Sequence, residues 1–329
     1  MSRHELTRRL FLGSLGATLT LPEMSARAAQ AQVPSADASR AADEKDVVYG
    51  KGGDTDLHCD IYRPSGSTTK RMAIIHFHGG GFAGGNKNGL AERVKPLAAR
   101  GYVSIAAQYR LAGVAKWPAQ MEDVKAAIRW TRANAAKLGI DPGRIALAGY
   151  SAGGHLALFA AGTQNRAEFE GNGGNPGVKT DVAACLAYYA VTGTSWEGFR
   201  RQFPMPEGSS EEAWRLATPG AYIKSFPPTM LFHGLADVTV PPESSQEFLK
   251  LLRDASVPAE LHTFAGVPHE FVSIPEFAES TGQLVDFFLE RHVITPRTYP
   301  AFGAGRGGPG RGGAAPDGAG QGGQRGGRE

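Results

Sequence analysis

The sequence predicts an α/β fold with a mostly parallel central sheet and helices on both faces. Between residues 44 and 301, short apolar runs typical of buried strands alternate with longer amphipathic segments typical of helices. The segment 118–138, for example, is predicted to form one long helix that begins at Pro118 and ends at Gly139. Helices between successive strands carry the chain back across the sheet, so the strands they connect run parallel.

The predicted strands are short and follow one another at regular intervals. An antiparallel edge hairpin opens the domain, with strands near 46–49 and 57–62 and a turn at residues 52–53. Six further strands are predicted, one ending near residue 189 and the others at residues 73–77, 102–107, 145–148, 228–234 and 259–264. The segment 191–226 breaks the alternation and holds several aromatic residues, so we interpret it as a small lid insertion.

A serine flanked by glycines follows the predicted strand at 145–148. Residues 149–153 read Gly-Tyr-Ser-Ala-Gly and lead directly into an apolar helix. A sharp strand-to-helix turn of this kind holds the serine in a strained conformation, and a side chain at either glycine would collide with the adjoining element. The pattern and its context predict that Ser151 is an exposed nucleophile.

A serine nucleophile needs a base and a carboxylate that orients the base. Asp237 lies in the loop after the strand at 228–234, and His269 lies in the loop after the last strand. His155 and His233 compete for the role of base, but both belong to rigid elements beside the core. The chain order Ser151, Asp237, His269 is that of the α/β-hydrolase fold, and it differs from the orders of chymotrypsin and subtilisin.

The glycine-rich loop at residues 78–82, His-Gly-Gly-Gly-Phe, follows another buried strand. Glycines there let the backbone approach a substrate carbonyl and offer N–H groups to a developing oxyanion. We expect the N–H groups of Gly80, Gly81 and Ala152 to form an oxyanion hole, with the Gly79 amide as an alternative donor because sequence does not fix the register of the loop.

These motifs resemble α/β-hydrolase esterases of the hormone-sensitive-lipase and carboxylesterase group, most closely the bacterial secreted feruloyl and acetyl esterases. The matching segments are 78–82, 108–111, 123–130, 149–155, 227–241 and 268–271. The resemblance implies hydrolysis of short-acyl or aryl esters, free or linked to a polysaccharide, through an acyl-enzyme and without metal or organic cofactor. Many relatives flank the histidine with glycines, whereas this chain has Pro268 and Glu270 around His269.

Two other functions share this fold. A serine peptidase of the prolyl-oligopeptidase type normally carries a propeller domain, for which this chain has no room, and a non-catalytic α/β-hydrolase binding protein has no need of the complete set of catalytic groups. Substrate contacts are expected from Phe82 and Tyr150 beside the motifs and from Trp196 and Trp214 in the lid.

The two ends of the chain are predicted to lie outside the catalytic domain. Residues 1–28 contain paired arginines, an apolar run and an Ala-Arg-Ala site, as in a twin-arginine signal peptide, and residues 29–43 form a linker. Residues 302–329 are rich in Gly and Arg and predict a disordered tail. We therefore expect a periplasmic or secreted protein without a stable membrane anchor.

The charge of the core argues against a nucleic-acid partner, and the cysteine content argues against a metal site. The two ends each contribute +2 to the formal net charge of +3, which leaves −1 on the core and favours no nucleic-acid partner. The two cysteines, Cys59 and Cys185, lie in apolar strand-like runs and are interpreted as buried free thiols, too few for a metal site.

Overall fold

The computed structural model describes residues 41–64, 69–193 and 196–299. The predicted signal peptide (1–28), nearly all of the linker and the tail (302–329) lie outside the described residues. Eight strands are present in this part of the chain: β1 (Glu44–Gly52), β2 (Thr55–Tyr62), β3 (Ala73–Phe77), β4 (Val103–Ala107), β5 (Ile145–Tyr150), β6 (Ala184–Tyr188), β7 (Thr229–Gly234) and β8 (Ala259–Phe264).

The described helices are α1 (Ala91–Ala99), α2 (Ala119–Ala133), α3 (Ala135–Leu138), α4 (Ala152–Gly162), α5 (Ala167–Glu170), α6 (Glu197–Gln202), α7 (Glu211–Leu216), α8 (Glu243–Asp254) and α9 (Pro275–Leu289). Short 3₁₀ turns occur at Lys87–Leu90, Pro219–Ser225 and Phe271–Ser273, and a π-helical turn at Glu290–Ile294. None of these helices is both long enough and apolar enough to cross a bilayer.

The eight strands form one sheet in the order β1-β2-β4-β3-β5-β6-β7-β8. β2 pairs antiparallel with β1 and with β4, and every other neighbouring pair is parallel. The predicted edge hairpin and the mostly parallel sheet are both confirmed. Because parallel strands share one carboxyl edge, the loops that follow β3, β5, β7 and β8 all emerge on the same side of the sheet.

Side chains of the central strands alternate between two apolar cores, one on each face of the sheet. Ile75 and Leu147 belong to one core, and Ile74 and Ala146 belong to the other. All four are fully buried. This two-sided burial explains why the strands read as continuous apolar runs in the sequence. Both cysteines are buried and free, as expected.

The long helix predicted over 118–138 is instead two helices, which is a correction to the sequence-based boundary. α2 ends at Ala133, and α3 begins at Ala135. Between them, Asn134 has a non-helical backbone (φ −98°, ψ 14°), and its side-chain amide donates to the Trp130 carbonyl at 2.8 Å. An asparagine side chain competes in this way for helical carbonyls, which breaks the helix one turn before Gly139.

Candidate active site

Ser151 lies at the turn between β5 and α4. Its backbone has φ 53° and ψ −117°, a conformation that L-residues rarely adopt. A Cβ atom on Gly149 would lie 2.0 Å from the Gly153 carbonyl oxygen, and one on Gly153 would lie 2.2 Å from the Phe77 carbonyl oxygen. The two glycines therefore allow strand and helix to meet at this angle, as the sequence predicted, and the turn projects Ser151 from the carboxyl edge of the sheet.

A continuous chain of hydrogen bonds connects the serine to a histidine and a carboxylate. Ser151 Oγ lies 3.0 Å from His269 Nε2, and His269 Nδ1 lies 2.6 Å from Asp237 Oδ2. The other carboxylate oxygen, Asp237 Oδ1, accepts from the backbone N–H groups of Thr239 and Val240 at 2.8 and 2.9 Å. The loops after β5, β7 and β8 thus bring together the three residues named from the sequence.

Asp237 is held in its ionised form. Burial by itself would raise the pKa of this carboxyl, but hydrogen bonds from His233, His269 and the Val240 N–H outweigh burial and hold the pKa well below its usual range. A carboxylate that stays charged beside His269 Nδ1 fixes the ring tautomer, so that Nε2 is the nitrogen that accepts from the serine hydroxyl.

His233 is part of the site in a way that the sequence did not reveal. Its Nε2 lies 3.2 Å from Asp237 Oδ2 and 3.0 Å from the Val240 carbonyl oxygen, and its Nδ1 lies 2.7 Å from Ser245 Oγ. The ring is fully buried. His233 therefore contacts the same oxygen of the Asp237 carboxylate as His269 does, from the buried side. It helps to hold this carboxylate in place without contacting Ser151.

His155, the other competing base, points away from the serine hydroxyl. Its Nδ1 donates to the Val191 carbonyl at 2.9 Å, and its ring packs against Phe199 and Phe203 with centroids 5.0 and 5.3 Å apart. Burial lowers the pKa of His155 to about 4, so the ring is neutral at ordinary pH. It connects α4 to the start of the lid insertion.

The glycine-rich loop after β3 has the backbone conformation that its sequence requires. Gly80, Gly81 and Phe82 all have positive φ, at 109°, 60° and 62°. A Cβ atom on Gly80 would lie 2.4 Å from the Gly84 carbonyl oxygen, so the loop closes tightly on itself. In the part of the chain that the structure describes, the N–H groups of Gly80, Gly81 and Ala152 make no hydrogen bond to a backbone carbonyl, so they can bind a substrate oxygen.

His78 anchors the start of this loop. Its Nδ1 donates to the Gly79 carbonyl at 2.8 Å, and its ring stacks on Tyr109 with centroids 4.4 Å apart. The Tyr109 hydroxyl in turn donates to the His78 carbonyl at 3.0 Å. Burial lowers the pKa of His78 to about 4, which keeps the ring neutral. No group of side chains in the described ranges has the composition of a metal site.

A small cavity of about 30 Å³ opens beside the serine. Phe82 and Trp196, two of the four residues predicted to contact substrate, line this cavity. Its remaining walls come from Gly81, Ser151, Ala152, Val191, Phe199, Gln202, Thr239 and Val240. The contributions of Phe199 and Gln202 had no motif to mark them, because they depend on how the lid insertion folds over the glycine-rich loop.

The other two expected substrate contacts lie elsewhere. Tyr150 is 2% exposed and packs in the core on the opposite face, with its ring stacked on Tyr188 at 4.7 Å. The side chains of successive residues along a strand point to opposite faces of the sheet. Tyr150, the last residue of β5, and the adjacent Ser151 therefore do not both face the cavity. Trp214 packs against Phe203 and under the Arg200 guanidinium, away from the walls of the cavity.

Comparison with known proteins agrees with this geometry. The BD-FAE family model matches residues 59–252, more than half of the chain. The chain belongs to the BD-FAE family. Its described domain is an α/β-hydrolase domain of the carboxylesterase type, which confirms the resemblance inferred from the motifs.

Individual relatives of this BD-FAE protein are named as esterases. The probable carboxylic ester hydrolase LipM of Mycobacterium tuberculosis is 31% identical over 72% of this chain and 61% of its own length, and the carboxylesterase NlhH of the same species is 31% identical over 72% and 79%. The chain spans 55–61% of the first three curated relatives. The apo structure of Thermogutta terrifontis esterase 2 covers 80% of this chain and 97% of its own, with 30% identity and a TM-score of 0.66.

Proposed function

We propose that the protein is a serine carboxylic-ester hydrolase that acts through an acyl-enzyme. The observation that carries the proposal is the hydrogen-bonded chain from Ser151 through His269 to Asp237, beside free backbone N–H groups. Nucleophile, base, orienting carboxylate and oxyanion donors are the groups that acyl transfer requires. The complete set of catalytic groups argues against a non-catalytic binding protein. The small cavity beside Ser151 favours a small ester over a peptide.

The geometry supports a specific role for each group. His269 Nε2 takes the proton of Ser151 as the oxygen attacks the ester carbonyl, and Asp237 stabilises the imidazolium that forms. The N–H groups of Gly80, Gly81 and Ala152 hold the oxyanion of the tetrahedral intermediate. His269 then gives its proton to the leaving alcohol, and water attacks the acyl-serine by the same steps in reverse.

The acyl group enters the cavity of about 30 Å³. His269 must reach the leaving oxygen to protonate it, so the alcohol lies on the His269 side and the acyl group lies on the other. The cavity holds about two groups the size of a water molecule, which favours acetyl or propionyl over a feruloyl ring. Thermogutta terrifontis esterase 2 has been solved with propionate and with butyrate bound, which supports a short acyl group here.

The alcohol part is less constrained by the cavity walls. An aryl alcohol, a small free alcohol or a hydroxyl of a polysaccharide can each leave on the His269 side, and we propose that the enzyme accepts short-acyl esters of this range. None of the proposed steps requires a metal ion or an organic cofactor.

The test combines turnover with covalent labelling. Wild-type protein should hydrolyse p-nitrophenyl acetate, and Ser151→Ala should lower kcat by roughly 10⁴- to 10⁶-fold while melting like the wild type. Ser280→Ala, which removes an exposed serine hydroxyl on α9, is the control and should keep full activity. Paraoxon phosphorylates Thermogutta terrifontis esterase 2, so it should also modify this protein, and peptide mapping should place the group on Ser151.

Three outcomes would overturn the proposal. Wild-type turnover in Ser151→Ala would remove the nucleophile assignment. Preferential hydrolysis of aminoacyl-nitroanilides would indicate a peptidase. Absence of hydrolysis and of labelling in the folded wild type would indicate a binding protein that has kept the fold.

A further inference from the structure

A second cavity of about 200 Å³ lies directly beside the small cavity at Ser151. The two cavities share three lining residues, Val191, Trp196 and Val240. The second cavity is completed by Thr192, Gly193, Pro241, Glu243, Ser244 and Glu247. Its volume is several times that of the first, so the space available next to the catalytic serine depends on what separates the two.

Two of the three shared residues are fixed parts of the domain. Val191 is buried, and its carbonyl accepts from His155 Nδ1 at 2.9 Å. Val240 is buried as well, and its backbone N–H donates to Asp237 at 2.9 Å. These residues form a common apolar floor beneath both cavities, and their side chains are too short to form a partition across it.

Trp196 is different because its side chain comes from the lid insertion. The residue directly precedes α6 and is 39% exposed, so its ring lies between floor and solvent. A Cβ atom on Gly198 would lie 2.7 Å from this ring, so the indole rests directly on the backbone of the first turn of α6. This contact with the helix holds the ring where the two cavities meet.

We propose that Trp196 sets the upper limit on acyl-chain length by separating the acyl pocket from this second cavity. The inference rests on the proposed esterase function and deepens it, since it names the residue that confines that site to short acyl groups. With the indole removed, the distal methylenes of an unbranched aliphatic acyl chain would extend over Val191 and Val240 into the larger cavity. The carboxylates of Glu243 and Glu247, which line the second cavity but not the first, disfavour a chain that ends in a carboxylate.

The experiment compares p-nitrophenyl acetate, butyrate and hexanoate as substrates of the full-length protein. In Trp196→Ala, the hexanoate-to-acetate ratio of kcat/KM should rise by about tenfold to a hundredfold, because up to four additional methylenes become buried. Trp196→Leu, a smaller change that retains apolar packing, should give an intermediate rise. Leu216→Ala is the matched control: it truncates an equally exposed apolar residue of the same insertion that lines a different cavity, and its ratio should equal that of the wild type.

A second variant tests the cavity itself. Glu247 is exposed on α8 and lines the second cavity but not the first, so Glu247→Trp in the Trp196→Ala background should refill the space and return the ratio toward the wild-type value. If the hexanoate-to-acetate ratio were unchanged in both Trp196 variants while acetate hydrolysis stayed intact, the proposed role of Trp196 would be overturned. The proposed esterase function would not be affected. An equal rise in Leu216→Ala, or no reversal in the double variant, would also overturn the role of Trp196. Absence of acetate hydrolysis in the wild type would instead overturn the proposed function, and this inference with it.

Discussion

The Asp237 carboxylate accepts four hydrogen bonds, two at each oxygen. Thr239 and Val240 donate their backbone N–H groups to Oδ1, and His233 and His269 contact Oδ2. A carboxylate held on all sides can neither rotate nor take up a proton easily. This rigidity is passed to His269, whose Nε2 stays directed at Ser151.

His233 is therefore predicted to be a positioning residue for the reaction. His233→Leu should lower kcat for p-nitrophenyl acetate by about tenfold to a hundredfold with a smaller change in KM, because the loss of a hydrogen bond to a charged group costs about 1.5–3 kcal/mol. His233→Gln, whose amide can still donate near the position of Nε2, should retain most of kcat. Steady-state kinetics with thermal melting of both variants make the measurement. Equal kcat for the leucine and glutamine variants, both folded, would contradict a positioning role.

The sequence predicts Ser151, Asp237 and His269 as a group, because each follows a predicted strand in the chain order of the α/β-hydrolase fold. It could not assign His233 to the carboxylate. The sequence places this histidine at the end of β7, but its contact with Asp237 depends on how tightly the loop after β7 turns back. Such a distance is set by three-dimensional packing and has no signature in residue spacing.

At the scale of elements, the site depends on how closely β3, β5 and α4 approach one another. Gly153, in the first turn of α4, lies against the carbonyl oxygens of Phe77 and His78 at the end of β3. The backbone of Gly153 and these carbonyl groups cannot move apart independently, since α4 and β3 are both buried. The position of the glycine-rich loop relative to Ser151 is fixed by this contact.

Gly153→Ala should consequently lower the free energy of unfolding by about 3 kcal/mol or more, despite the better helix propensity of alanine. Gly113→Ala is the matched control, because a Cβ atom there meets nothing within 4 Å and the change should be nearly neutral. Urea denaturation of both variants gives the comparison. If Gly153→Ala proved as stable as Gly113→Ala, this result would contradict the close contact between α4 and the end of β3.

The strands were easier to predict than the lid. β3 and β8 have the bounds that their apolar runs predicted, because burial dictates both composition and length. The helices α6 and α7 of the insertion are only six residues long and are stabilised by tertiary contacts, such as the packing of Phe199 and Phe203 against Phe82. Helices of this length have little intrinsic stability, so the sequence alone carries little information on where they form.

At the scale of the whole molecule, the parallel sheet explains why three residues distant in sequence meet. Ser151, Asp237 and His269 all lie in loops at the carboxyl edge, after β5, β7 and β8. The glycine-rich loop after β3 and the lid insertion after β6 begin at the same edge. All the proposed catalytic groups therefore meet at the carboxyl edge of the sheet. The predicted signal peptide and tail lie outside the described residues, and mutation can test whether their roles are separable from catalysis.

The last prediction concerns the destination of the enzyme and rests on Arg8 and Arg9 followed by an apolar run. We propose that this pair is read as a twin-arginine signal, in which the planar guanidinium groups are recognised and charge alone is insufficient. Changing both residues to lysine should leave active precursor in the cytoplasm, since the two cysteines are buried free thiols and folding requires no disulfide. Deleting residues 302–329 should alter neither export nor turnover of p-nitrophenyl acetate. Cell fractionation with an ester assay on each fraction makes both measurements: normal export of the double-lysine variant would exclude the signal, and loss of activity on tail deletion would make the Gly-rich segment part of the folded enzyme.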